Sequence, residues 1–105
     1  MAKGPRRPTD TVIDRVTEVP VDVVGCPPRR VRITSRHTPA ALRHMKHGYV
    51  RIQSERVVIV HANTAVADVR SSAEDIRECL ENGVVYEALL DRVSDELRVP
   101  VRPVA

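Results

Sequence analysis

The chain contains no phenylalanine and no tryptophan, and apart from histidine its only aromatic side chains are Tyr49 and Tyr86. A core must therefore be assembled from Val, Ile, Leu and Ala, which pack well but offer no broad stacking faces. The same scarcity argues against a single-strand nucleic-acid platform, where successive bases stack on exposed aromatic rings. No apolar run is long enough to cross a bilayer and no signal-peptide h-region is present, so the expectation is a cytoplasmic protein without a membrane partner. Glycine occurs at four positions only, and Gly25, Gly48 and Gly83 fall where turns or helix ends need them. No phosphate-cradling loop can be built from such punctuation.

Cysteine is equally sparse. Cys26 and Cys79 lack metal-type spacing, and in a cytoplasmic setting they read as free thiols. Cys79, beside Leu80, reads as a small core residue, and Cys26 lies in a Gly-Cys-Pro-Pro turn. Acids are missing from one long stretch. Between Val23 and Ser54 there is no Asp or Glu, whereas Arg29, Arg30, Arg32, Arg36, Arg43, Lys46 and Arg51 all fall there. From Asp68 to Glu96 nine acids stand against three arginines. A basic middle and an acidic C-terminal third imply an anion-facing surface, or self-association of complementary patches as a homodimer in which a basic sheet face meets an acidic helix face.

With 105 residues and 42% hydrophobic composition, one folded domain is expected. Residues 1–10 form a flexible basic arm, with MAKGPRRP at its start, and residues 11–105 form a single domain. Val12, Ile13, Val16 and Val19 share a helical face that Pro20 ends. Val21, Val23 and Val24 are strand-like. In RRVRITSR, Val31 and Ile33 alternate with Arg30, Arg32, Thr34 and Arg36, the pattern of a half-exposed strand with its arginines on one face. Thr38-Pro39 opens a short helix that runs to about His47.

Tyr49 to Val66 then reads as a hairpin. YVRIQ is its first arm, Ser54-Glu55 the break, and RVVIVHANTAV the second arm, apolar from Val57 to Val60 and so suited to the inside of a sheet covered by helices. Ser71 with Glu74, or Ser72 with Asp75, forms a capping box for a helix that buries Ile76, Cys79 and Leu80. A last helix carries Tyr86, Leu89, Leu90, Val93 and Leu97 at spacings of three and four. Pro100 and Pro103 make the tail extended. Together these elements predict an α+β fold, a small antiparallel sheet with helices packed mainly on one face.

Chemistry-bearing constellations are few. His44 and His47 are three apart on a helix, but a zinc site needs a third protein ligand, so no metal or other cofactor is assigned. His61, after four apolar residues, reads as a hydrogen-bond donor within the sheet. The carboxylates sit at solvent-face spacings and give no acid/base pair, and no catalytic residue is assigned.

TVIDRVTEVPVDVV, YVRIQ, RVVIVHANTAV and IRECLENGVVYEALLDR, in that order, resemble the chorismate lyase-like group, which includes chorismate pyruvate-lyases and the effector-binding domains of bacterial regulators. The resemblance implies an antiparallel sheet with flanking helices enclosing a small anionic ligand. In the lyases, an arginine on a strand and a glutamate near the C-terminus release pyruvate from chorismate to leave 4-hydroxybenzoate. Arg51 matches that arginine. The acid has no counterpart, because Leu97 to Ala105 reads LRVPVRPVA.

Two functions follow as expectations. One is binding of a small carboxylate-bearing ligand of chorismate or hydroxybenzoate type, as a degenerate lyase, with Arg51 as anchoring cation and Arg32 and Arg30 in support. The other is a nucleic-acid-associated or regulatory interaction module that uses the basic arm and the Arg29 to Lys46 face. A pocket with converging arginines would mark the first, and a flat arginine-rich sheet surface the second.

Overall fold

The computed structural model describes residues 25–104. Within them the chain closes into a barrel of six strands, all paired antiparallel, in the order β1-β4-β3-β2-β5-β6. The strands are β1 (Arg29–Thr34), β2 (Gly48–Gln53), β3 (Arg56–His61), β4 (Thr64–Val69), β5 (Val85–Ala88) and β6 (Arg98–Val104). Helix α1 (Pro39–Met45) links β1 to β2, helix α2 (Ala73–Glu81) links β4 to β5, and a 3-10 turn at Leu90–Arg92 links β5 to β6. This corrects the α+β expectation: the helices are short and lie at the two ends of a closed barrel instead of covering one face of an open sheet. Their positions follow from connectivity, since α1 and the 3-10 turn join strand ends at one mouth and α2 joins them at the other.

Three sequence signals build the wall. The β1 alternation holds, with Val31 and Ile33 buried and Arg30, Arg32 and Thr34 exposed. Ser54 and Glu55, at φ 51° and 64°, form a two-residue turn that sets Gln53 opposite Arg56 and thereby the whole β2–β3 register. Ala62 and Asn63, at φ 51° and 66°, form a second such turn between His61 and Thr64. RVVIVHANTAV is therefore not one hairpin arm. It is β3, a tight turn and the start of β4, and left-handed backbone at Asn63 supplies the reversal. Val57 and Ile59 of β3 face the interior cluster, while Val58, also fully buried, lies on the opposite face between Arg51 and Asp68 of the neighbouring strands.

The expected last helix does not form. Tyr86 and Ala88 face inward and Val85 is exposed, which is strand alternation, and Leu90 and Val93 return to the core through the 3-10 turn. The spacing of apolar residues at three and four arises from a short strand followed by a tight turn, and over so few residues it mimics a helical face. The proline-containing tail is β6, which pairs with β1 along Arg98–Val101 and with β5 along Val101–Val104. The helix expected before Pro20 and the strand-like run at residues 21–24 lie outside the described residues.

Helix α1 begins as the sequence predicts, with Thr38 Oγ1 accepting from the Ala41 N–H at 3.1 Å. It stops at Lys46, whose φ is 72°, rather than at Gly48. Gly48 serves a different purpose. It opens β2 beside the irregular step in the β3–β4 register, where any Cβ would collide with the Val60 carbonyl oxygen and lie 3.2 Å from Ile59 Cγ2. The expected capping boxes of α2 do not form either. Ser72 makes no side-chain cap bond, and Ser71 Oγ instead accepts from the Arg32 N–H at 2.8 Å.

The interior is filled. Val31, Ile59, Tyr86, Ala88 and Val99 are fully buried within the barrel, and Ile76 and Leu42 belong to the same core. With no Phe or Trp available, Tyr86 is its largest side chain, and its hydroxyl donates to the Pro27 carbonyl at 2.9 Å. The expectation of free thiols is also corrected. Cys26 and Cys79 are joined by a disulfide that ties the segment before β1 to α2, their Cα atoms 6.0 Å apart. Neither residue has a partner nearby in sequence, so the pairing emerges only when the strands close. Among the described residues, no helix is long and apolar enough to cross a membrane.

Candidate nucleic-acid interface

The three arginines singled out from the sequence do not converge. Arg51 points outward from β2, and Arg30 and Arg32 point outward from β1. In a ring ordered β1-β4-β3-β2-β5-β6, β1 and β2 are three strands apart in either direction, so the two groups stand on opposite walls. The barrel interior between them is packed with side chains. The structure thus replaces the expected α+β, chorismate lyase-like architecture with a filled barrel. Arg51 lies 5.9 Å from the Tyr49 ring centroid, a stacking arrangement on the surface.

The β1 arginines acquire different neighbours. Arg32 is the direct cross-strand partner of Arg98 on β6, and Arg30 is the partner of Pro100. On its other side, the Arg70 N–H donates to the Arg32 carbonyl at 2.7 Å, which extends the β1–β4 register by one step beyond Ile33 and Val69. Arg70, Arg32 and Arg98 therefore form one row across three adjacent strands, and all three are exposed. At the usual inter-strand spacing the row spans about 10 Å, with Arg30 about 7 Å further along β1. Arg56 and Arg70 also line a common shallow cavity of about 180 Å³ at the junction of β3, β4 and α2. Beside it, Arg36 and Arg56 flank a second, open groove of about 490 Å³ over β4.

Five of the arginines are ion-paired, while Arg36, Arg51 and Arg92, like the residues of this row, have no acidic partner among the described residues. Arg29 lies 3.8 Å from Asp75, Arg43 3.2 Å from Asp95, Arg56 2.8 Å from Asp68, Arg77 3.4 Å from Glu81 and Arg102 2.5 Å from Glu87. Arg30, Arg32, Arg70 and Arg98 have no acidic partner among the described residues. Glu55, Asp68 and Glu74 line the same cavity as Arg70, and opposed like charges on paired strands cost stability. Such an arrangement can grip a repeating anion through several guanidinium groups at once, each able to offer paired N–H donors.

Arg70 and Arg98 escaped the sequence reading because they fall outside the acid-free stretch, Arg70 among the acids of the C-terminal third and Arg98 in the tail. Only strand register brings them to Arg32. The histidines show no comparable gathering. His61 Nδ1 lies 3.0 Å from the carbonyl oxygen of His47, in the link before β2 and not in a strand, and no cluster of three metal-ligating side chains occurs among the described residues.

No family model matches the chain, and neither a curated protein nor a solved structure matches it.

Proposed function

We propose that the protein binds the phosphate backbone of nucleic acid, without reading base sequence, through the outer wall of β4, β1 and β6. The observation that carries this reading is the row Arg70–Arg32–Arg98, with Arg30 beside it, none of them ion-paired among the described residues. Phosphate contacts give affinity and orientation but no sequence information. The near absence of aromatic side chains fits that division, because base stacking needs faces that this chain does not have. The basic arm at residues 1–8 lies outside the described residues, and its Lys3, Arg6 and Arg7 would add charge of the same sign.

The test is fluorescence anisotropy of a labelled mixed-sequence DNA duplex titrated with the full chain at several salt concentrations. Four arginine–phosphate contacts on the wall contribute about −3.6 to the slope of log K against log salt, to which contacts made by the arm add. Replacing both Arg32 and Arg98 with Ala should flatten that slope by about 2 units. Arg51→Ala, on the opposite wall, should leave it unchanged. Absence of binding at low salt, or a slope that ignores the double substitution, would sink the reading.

A further inference from the structure

Helix α2 returns to the barrel beside a groove of about 320 Å³, lined by Val50 and Ile52 of β2, Leu80 of α2, and Val84 and Val85 where β5 begins, with Arg51 at its lip. Val85 is 47% exposed, so an apolar surface stands open there. The groove lies next to the point where residues 1–24 join the described fold. Gly25 and Cys26 are held against Cys79, through the Cys26–Cys79 disulfide with its 6.0 Å Cα separation and through the Gly25 carbonyl oxygen, 3.4 Å from Cys79 Sγ. Cys79 precedes Leu80 in α2, and its carbonyl accepts from the Val84 N–H at 3.0 Å. Two residues of the groove lining are thus direct neighbours of the anchor.

We propose that residues 19–24 of this same chain, VPVDVV, cover the groove as a strap fastened by the disulfide, their valine side chains seated among Val50, Ile52, Leu80, Val84 and Val85. Reach allows it. Val24 stands two residues before Cys26, and six extended residues span about 20 Å, against about 7 Å for the Val50–Ile52 stretch of β2. So short a tether also holds the segment at millimolar effective concentration, which an untethered occupant would have to match in solution. Composition agrees, because four of the six residues are valine and seating them would remove Val85 and its neighbours from water. Charge agrees as well, since Glu18 and Asp22 bring carboxylates to Arg51, which has no acidic partner among the described residues. Pro20 lacks a backbone donor, which favours seating by side chains over pairing along the β2 edge.

The test is methyl NOE spectroscopy of the full chain, labelled at its valine and leucine methyls. Cross-peaks are expected from Val19, Val21, Val23 and Val24 to Leu80, Val84 and Val85. Val21→Asp combined with Val23→Asp should abolish them and open the Val85 methyls to relaxation by a soluble gadolinium chelate, while the buried Val31 and Val99 methyls keep their shifts. Arg51→Glu, which sets like charge against Glu18 and Asp22, should move Val85 in the same direction. The proposal is overturned if the unsubstituted chain lacks these cross-peaks, or if the chelate reaches Val85 equally before and after the double substitution. Cross-peaks that pass between chains in a mixture of differently labelled copies would equally overturn it, because the occupant would then be a second copy. Duplex DNA takes no part in these readouts, so failure of the proposed function leaves the strap standing, and loss of the strap leaves duplex binding to be judged by its own salt slope.

Discussion

Arg32 of β1 and Arg98 of β6 are direct cross-strand partners on the outer wall of the barrel, two guanidinium groups placed opposite each other with Arg70 next in the row. A fold selected for stability alone gains nothing from this arrangement. Exchanging Arg98 for Glu converts a repelling pair into an attracting one, and cross-strand pairs of opposite charge contribute about 0.2–1 kcal/mol. Arg98→Glu should therefore raise the urea midpoint slightly while weakening duplex binding. A variant that is both less stable and unchanged in binding would contradict the role given to this wall.

The Cys26–Cys79 disulfide closes a loop with a sequence separation of 53. Cross-links of that span commonly stabilise by about 2–4 kcal/mol through the loss of freedom in the unfolded chain. Replacing both cysteines with serine, or adding reductant, should lower the denaturation midpoint correspondingly. Equilibrium unfolding with and without dithiothreitol measures it, and identical curves would show that the bond contributes nothing in solution.

Gly48 allows β2 to approach the Val60 carbonyl. Gly48→Ala forces backbone against backbone, where no flexible side chain can yield, and overpacking of this kind costs about 1–3 kcal/mol. The loss should show in thermal melts. Gly83→Ala provides a comparison of different origin, since a Cβ there meets nothing within 4 Å but the residue sits at φ 91°, so only backbone strain contributes.

Burial pushes the Tyr86 phenol above its ordinary value of 10.0, against the opposing pull of the Arg29 guanidinium, with Asp75 adding to the rise. The folded state thus favours the protonated phenol. Its contribution to stability is complete below the unfolded pKa near 10 and falls as the pH rises above it, because the unfolded chain releases the proton first. Tyr86→Phe should lose about 1 kcal/mol at neutral pH with the hydrogen bond to Pro27, and should lack this alkaline decline. Denaturation midpoints of the two proteins from pH 8 to 11 measure the difference, and parallel pH profiles would remove the phenol from the account.

Local signals in the sequence were reliable where one short segment carried all the physics. Thr38-Pro39 opens α1, Val31 and Ile33 face the core, Ser54-Glu55 turns the β2–β3 hairpin, and Ile76 and Cys79 face inward from α2. Val85 to Leu97 misled because a four-residue strand and a 3-10 turn reproduce helical spacing over too few residues to be told apart. Ser71 was taken from helix capping by the Arg32 backbone, a partner 39 residues away.

The sequence by itself determined a small aromatic-poor domain, an outward arginine face on β1 and an acid-free basic stretch. Closure of the barrel decided the rest. It set β1 and β2 on opposite walls, so Arg51 could not join Arg30 and Arg32, and it brought Arg70 and Arg98 to Arg32 from outside the basic stretch. The physical reason is register: residues become neighbours across a sheet through backbone pairing between distant strands, and neither composition nor local periodicity records which strand will lie beside which.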